Sequence, residues 1–153
     1  MIYNEIDIFE NAYEGYGVGR LPDGKVVFIP FAVAGDNVDI LIKKDKKRFA
    51  YGEIVKINKR SKYRVDGFCR YEGVCGGCTF AFLDSNYERV VKTQIVEKFF
   101  RVIDDFKIDQ YIRSEPLQYR LRGRFKVKKL KCEPEKYYNK SELVAIKTHF
   151  GEL

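Results

Sequence analysis

The sequence predicts a mainly β protein with an α+β tail: a small barrel of the OB type, a cysteine-bearing loop, one helix and a short pair of strands. Three observations lead there. Apolar–polar alternation recurs between turn residues through residues 1–60, as in a meandering β unit. Cys69, Cys75 and Cys78 follow in a glycine-rich stretch without periodicity. Beyond them, helical spacing from near Ser85 gives way after Pro116 to a strictly alternating segment.

The first strand spans residues 5–10, with Ile6 and Ile8 set against Asp7 and Phe9. Gly15, Gly17 and Gly19 then give a bend at which backbone can approach backbone closely. Strands at residues 18–21 and 25–29 flank Pro22-Asp23-Gly24, a hairpin turn in which Pro presets φ and Gly supplies a positive φ. Gly35-Asp36 turns the chain again. Residues 37–43 place Val38, Ile40 and Ile42 on one face, a basic loop covers residues 43–47, and a last strand spans residues 49–57. Five short strands with regular turns suit a closed barrel, which leaves no exposed sheet edge.

Residues 61–66 form a basic connector. The helix starts with Asp84 or Ser85 as N-cap and Glu88 placed as in a capping box. Its stripe is Tyr87, Val91, Ile95, Phe99 and Val102, with Lys92 and Lys98 off it. In residues 119–128, period-2 alternation turns Arg120, Arg122, Arg124, Lys126 and Lys128 one way and Leu121, Phe125 and Val127 the other. Residues 143–146 are placed to pair with that strand.

The chain of 153 residues carries 29 Lys+Arg against 22 Asp+Glu, a formal charge of +7. No run approaches the roughly 20 apolar residues of a membrane span, and Met1-Ile2-Tyr3-Asn4-Glu5 does not open a signal peptide. A cytoplasmic location is therefore expected, where structural disulfides are rare. The positive charge is clustered. Ten bases lie between Lys43 and Arg64, opposed by Asp45 and Glu53, and seven lie between Pro116 and Lys131 with no acid. Such clusters point to a nucleic-acid surface, with Lys43, Lys44, Lys46, Lys47, Arg48, Lys59, Arg60, Lys62, Arg120, Arg122, Arg124 and Lys126 as the candidate contacts. A solvated lysine-rich face, as in thermophiles, is the competing reading.

Cys69, Cys75 and Cys78 form Cys-x5-Cys-Gly-Gly-Cys. Three thiolates on a loop softened by Gly73, Gly76 and Gly77 can converge on one centre, with backbone N–H groups free to face sulfur. Phe68, Tyr71, Phe80 and Phe82 are placed to exclude solvent. Spacing alone leaves an iron–sulfur cluster and zinc level, while a Cys75/Cys78 redox pair leaves Cys69 unexplained.

Residues 15–20, Gly-Tyr-Gly-Val-Gly-Arg, together with Gly35-Asp36-Asn37-Val38, resemble a TRAM domain, an OB-like RNA-binding module. The cysteine segment, the helix with Tyr87 and Gln94, and Tyr119-Arg120-Leu121-Arg122 extend the resemblance, in order, to the N-terminal half of the RNA (uracil-5-)-methyltransferase family. Within that family the resemblance is strongest to the 23S ribosomal RNA enzymes that carry a [4Fe-4S] cluster. It implies cluster ligands Cys69, Cys75 and Cys78, with His149 in the place of the family's fourth cysteine and Cys132 the weaker alternative. It divides the chain into a TRAM barrel at residues 1–60, a connector and cluster loop at 61–82, and from 83–153 a helix and the start of a central RNA-binding domain, truncated before the methyltransferase domain. The implied function is the RNA-binding, cluster-carrying N-terminal portion of an S-adenosylmethionine-dependent 23S rRNA (uracil-5-)-methyltransferase. This portion, a truncated product or one piece of a split enzyme, is not expected to catalyse by itself, and S-adenosylmethionine is expected only if the missing catalytic half is supplied, for which a separately encoded methyltransferase half is a candidate partner. The expected partner is structured RNA, ribosomal above all, with neither membrane nor DNA. A free-standing TRAM-type RNA-binding adaptor with an iron–sulfur or zinc site is the alternative, and a cluster-based redox or iron sensor a weaker one.

Overall fold

The structure, a computed structural model, describes residues 1–67 and 78–112. The described residues all fall within one compact unit, Met1–Arg113. The strand pair expected at residues 119–128 and 143–146 lies outside the described residues.

Five strands close a barrel in the order β1-β2-β3-β5-β4. They are β1 (Ile2–Asn11), β2 (Gly17–Arg20), β3 (Val26–Ile29), β4 (Asn37–Asp45) and β5 (Phe49–Lys59). All pairings are antiparallel except β3 with β5, which run parallel and complete the ring. The mainly β, OB-like barrel expected from the alternation is present. Ile6 and Ile8 of β1, Val27 and Ile29 of β3, Val38 and Ile40 of β4 and Ala50 of β5 fill its interior, with Leu21 and Ala32. Each fully buried Val or Ile contributes roughly 1.5–3 kcal/mol of transfer free energy.

Turn chemistry sets the register. Gly24 takes φ +85° in the β2–β3 hairpin, where the Leu21 N–H donates to the Lys25 carbonyl at 2.9 Å. Gly17 lets β2 touch the segment after β3, since a Cβ there would stand 2.5 Å from the Ala32 Cβ. The strands outrun their hydrophobic pattern. Lys43 and Lys44, expected in a loop, continue β4 because backbone pairing with Tyr51 and Ala50 carries the ladder to Asp45. The loop proper is residues 46–48.

The helix α1 (Ser85–Phe100) is capped by Asp84, whose side chain accepts from the Asn86 and Tyr87 N–H groups at 3.0 and 3.1 Å. Asp84 is thus the N-cap rather than Ser85, and Glu88 pairs with Lys92. The helix docks through a second small core of Val33, Phe82, Leu83 and Val91, flanked by Phe31, Tyr63, Phe80, Tyr87 and Ile95. Its predicted stripe is buried only at this end. Phe99 and Val102 are 62% and 84% exposed, and Phe99 meets the exposed Tyr13 ring edge-to-face at 5.6 Å. No helix among the described residues is long and apolar enough to cross a membrane.

Candidate nucleic-acid interface

The β4–β5 end of the barrel gathers the first group of predicted bases. The Lys46 N–H donates to the Phe49 carbonyl at 2.9 Å and closes a tight turn that leaves Lys46, Lys47 and Arg48 exposed. Neighbouring acids are already engaged. Asp45 accepts from Lys25 Nζ at 2.7 Å, a bond that holds the Lys25 ammonium above its ordinary value, and Glu53 pairs with Lys43 at 2.9 Å. Lys44, Lys46, Lys47 and Arg48 have no carboxylate partner among the described residues.

Lys59, Arg60 and Lys62 form a separate group at the far end of β5, which at 11 residues holds the two groups roughly 30 Å apart. Arg60 is paired with Asp66 at 2.5 Å, and Lys62 Nζ sits 4.9 Å from the centre of the Tyr63 ring. Tyr63 stacks on Tyr87 at 3.7 Å, and burial, then the Tyr63 neighbour, pushes the Tyr87 hydroxyl pKa up. Arg64 is no surface base at all. It turns inward onto Asp36, whose carboxylate is fully buried, at 2.6 Å, and donates to the Phe31 carbonyl at 2.6 Å. Asp36 also accepts from the Val33 N–H at 2.7 Å and the Ser61 N–H at 2.8 Å.

A cluster of rings lies beside the first basic group. Phe28 of β3 is in register with Tyr51 of β5, and Val26 with Phe49. Phe28, Phe49 and Tyr51 alternate with the inward Val27, Ile29 and Ala50, so they face out from the barrel. With Tyr16 they form a chain of contacts at ring-centre distances of 5.6–6.3 Å. All four are half-buried. This patch was not singled out from sequence. Its signal was a strand aromatic on the outward phase between apolar neighbours, which reads as a two-sided buried strand.

Of the predicted metal ligands, Cys69, Cys75, Cys132 and His149 lie outside the described residues, as do Arg120, Arg122, Arg124 and Lys126. Cys78 is an exposed free thiol. The segment carrying the cysteine motif is tied at both ends. The Val65 N–H donates to the Phe82 carbonyl at 3.0 Å, the Asp84 N–H to the Tyr63 carbonyl at 2.8 Å, and Arg64 bridges Leu83. Thr79 packs on Gly15, where a Cβ would stand 2.7 Å from the Thr79 carbonyl oxygen. Phe82, expected to shield the cysteines, is instead 1% exposed in the helix–barrel core. Its ring fills the space the barrel leaves at Phe31 and Val33.

The sequence matches the TRAM domain family over residues 4–55. An uncharacterized RNA methyltransferase of Caldanaerobacter subterraneus is 37% identical over 126 residues, covering 80% of this chain and 28% of that protein. A 23S rRNA (uracil(1939)-C(5))-methyltransferase of Chromohalobacter salexigens is 32% identical over 128 residues, covering 81% of this chain and 26% of that protein. The solution structure of a conserved protein of Methanococcus maripaludis aligns with a TM-score of 0.33 at 34% identity, covering 36% of this chain and 76% of that one. The chain thus spans about a quarter of the length of these curated relatives, 28% and 26%.

Proposed function

We propose, from the premise that this chain carries a TRAM domain and is homologous to RNA methyltransferases over 80% of its length, that it is the RNA-holding front portion of a 23S rRNA (uracil-5-)-methyltransferase. The observation that carries this reading is the β4–β5 end of the barrel. Four cations stand exposed there while the acids beside them, Asp45 and Glu53, are paired with Lys25 and Lys43. Lysine and arginine facing phosphate supply most of the affinity for RNA, and their desolvation cost at an exposed tip is small. Methyl transfer from S-adenosylmethionine to uracil C5 is the activity we propose for the protein to which this portion contributes, whether joined or separately encoded. The cytoplasm, where ribosomal RNA and reduced thiols coexist, is the compartment that suits it.

Cys69, Cys75 and Cys78 are the residues we assign to a [4Fe-4S] cluster, with His149 as fourth ligand in preference to Cys132. The clamped ends of their segment support the reading, because tying residues 63–65 to 82–84 lowers the entropy lost when thiols converge. Anaerobically purified protein should contain iron and sulfide near cluster stoichiometry and be brown, and Cys69→Ser, Cys75→Ser or Cys78→Ser should bleach it. Zinc in place of iron would refute the assignment.

The RNA reading is tested by equilibrium binding to a structured ribosomal RNA fragment. Replacing Lys46, Lys47 and Arg48 together with Gln should weaken binding about equally for different RNA sequences, since phosphate contacts carry no sequence information. Undiminished affinity in that variant would contradict it.

A further inference from the structure

We propose that the barrel holds RNA at two points, the cationic tip at residues 46–48 and a second phosphate site at Lys59 and Lys62. Their fixed spacing then selects a double-helical stem long enough to reach both. The proposal rests on the RNA-binding reading and specifies the length and form of the RNA. Both groups belong to one strand, since β5 starts directly after Arg48, ends at Lys59 and leads into Lys62. Pairing with β4 from Ala50 to Lys59 holds that strand in the closed barrel and sets the groups roughly 30 Å apart. That is more than about three Debye lengths at physiological salt, so each group meets phosphate independently. At the far group Lys59 and Lys62 are exposed and have no carboxylate partner among the described residues, whereas Arg60 is engaged by Asp66.

Between the two groups the surface is no basic stripe. Glu53 takes Lys43, and Lys56 stands opposite Asp39 across the β4–β5 ladder. The Asn58 amide donates to Asp39 at 2.7 Å and the Asn37 amide to Asp7 at 2.7 Å, a row of amides and carboxylates across β5, β4 and β1. Carboxylates there repel phosphate, so RNA gains contacts at the two ends and not between them. A rigid two-point site favours a rigid ligand. In a stem the phosphates already stand at fixed separations, and the second contact forms without ordering further chain. Spanning the gap takes on the order of ten base pairs, a reach typical of domains that read duplex RNA by shape.

The test measures equilibrium binding of the full chain to two RNA hairpins with the same loop, one with a stem of about 6 base pairs and one with a stem of about 16. A variant carrying Lys59→Gln and Lys62→Gln, both at exposed positions, should lose at least about fivefold in affinity for the long stem and less than about twofold for the short one. For the unaltered chain, the slope of log K against log[salt] should be steeper on the long stem by about 2. Equal losses of the variant on both stems would mean that nothing is bridged, and no loss on either would leave the far group a solvated face. Either result overturns the proposal. So would tighter binding to an unpaired strand of the long stem's sequence than to the long stem itself. If the unaltered chain bound none of these RNAs, the RNA-binding reading itself would fall, whereas equal affinity and equal slopes on the two stems would keep that reading and remove the second site.

Discussion

Asp36 is the residue on which the junction between barrel and helix turns. Its buried carboxylate answers the Arg64 guanidinium and the Val33 and Ser61 N–H groups, while the Ser61 hydroxyl donates to the Ala34 carbonyl at 2.6 Å. A buried pair so thoroughly hydrogen-bonded adds less net stability than its geometry suggests, but removing one partner strands the other charge. Arg64→Leu should therefore lower unfolding free energy by about 3–5 kcal/mol, read from the urea midpoint at unchanged m-value. A loss below about 1 kcal/mol, typical of an exposed pair, would contradict the assignment. In the sequence Arg64 is one more base of the 43–64 stretch, because its partner stands 28 positions earlier and nothing local marks the pairing. Gly24 is the opposite case. A Pro-Asp-Gly turn needs a positive φ at Gly, and the residues alone specify it.

Among the elements, α1 shows where local signals suffice and where they stop. Its start was legible to within one residue, because an Asp side chain at the cap meets two orphan N–H groups wherever the helix lies. Asp84→Ala should cost about 1 kcal/mol, seen as a lower thermal midpoint with the far-UV spectrum of the folded state unchanged. A midpoint equal to that of the unaltered chain would mean the cap contributes nothing. Its buried face was read too long. Periodicity continues to Val102, but burial depends on what the barrel presents: Phe31 and Val33 cover the start of the stripe, while Phe99 meets only the exposed ring of Tyr13. The strands failed in the opposite direction. β4 runs on through Lys43 and Lys44 because backbone hydrogen bonds to β5, and not side-chain burial, extend the ladder.

For the whole molecule, the barrel was legible because five alternating segments separated by turns leave few topologies that hide every edge. The interface was legible only as a charge count. Folding splits one basic stretch into two groups at the ends of β5, removes Arg64 to the interior, and brings Tyr16 and Phe28 beside Phe49 and Tyr51 from distant positions in the chain. Juxtapositions between strands leave no trace in a linear reading, so the ring cluster appears only in the structure. The central claim is that the β4–β5 tip binds RNA through phosphate contacts, and it is tested most directly by the salt dependence of binding. Each phosphate contact adds about 0.7 to the slope of log K against log[salt] for single strands. The unaltered chain should lose affinity steeply between low and physiological salt, and the variant lacking Lys46, Lys47 and Arg48 charge should show a slope shallower by about 2. Identical slopes in the two proteins, or binding insensitive to salt, would contradict it.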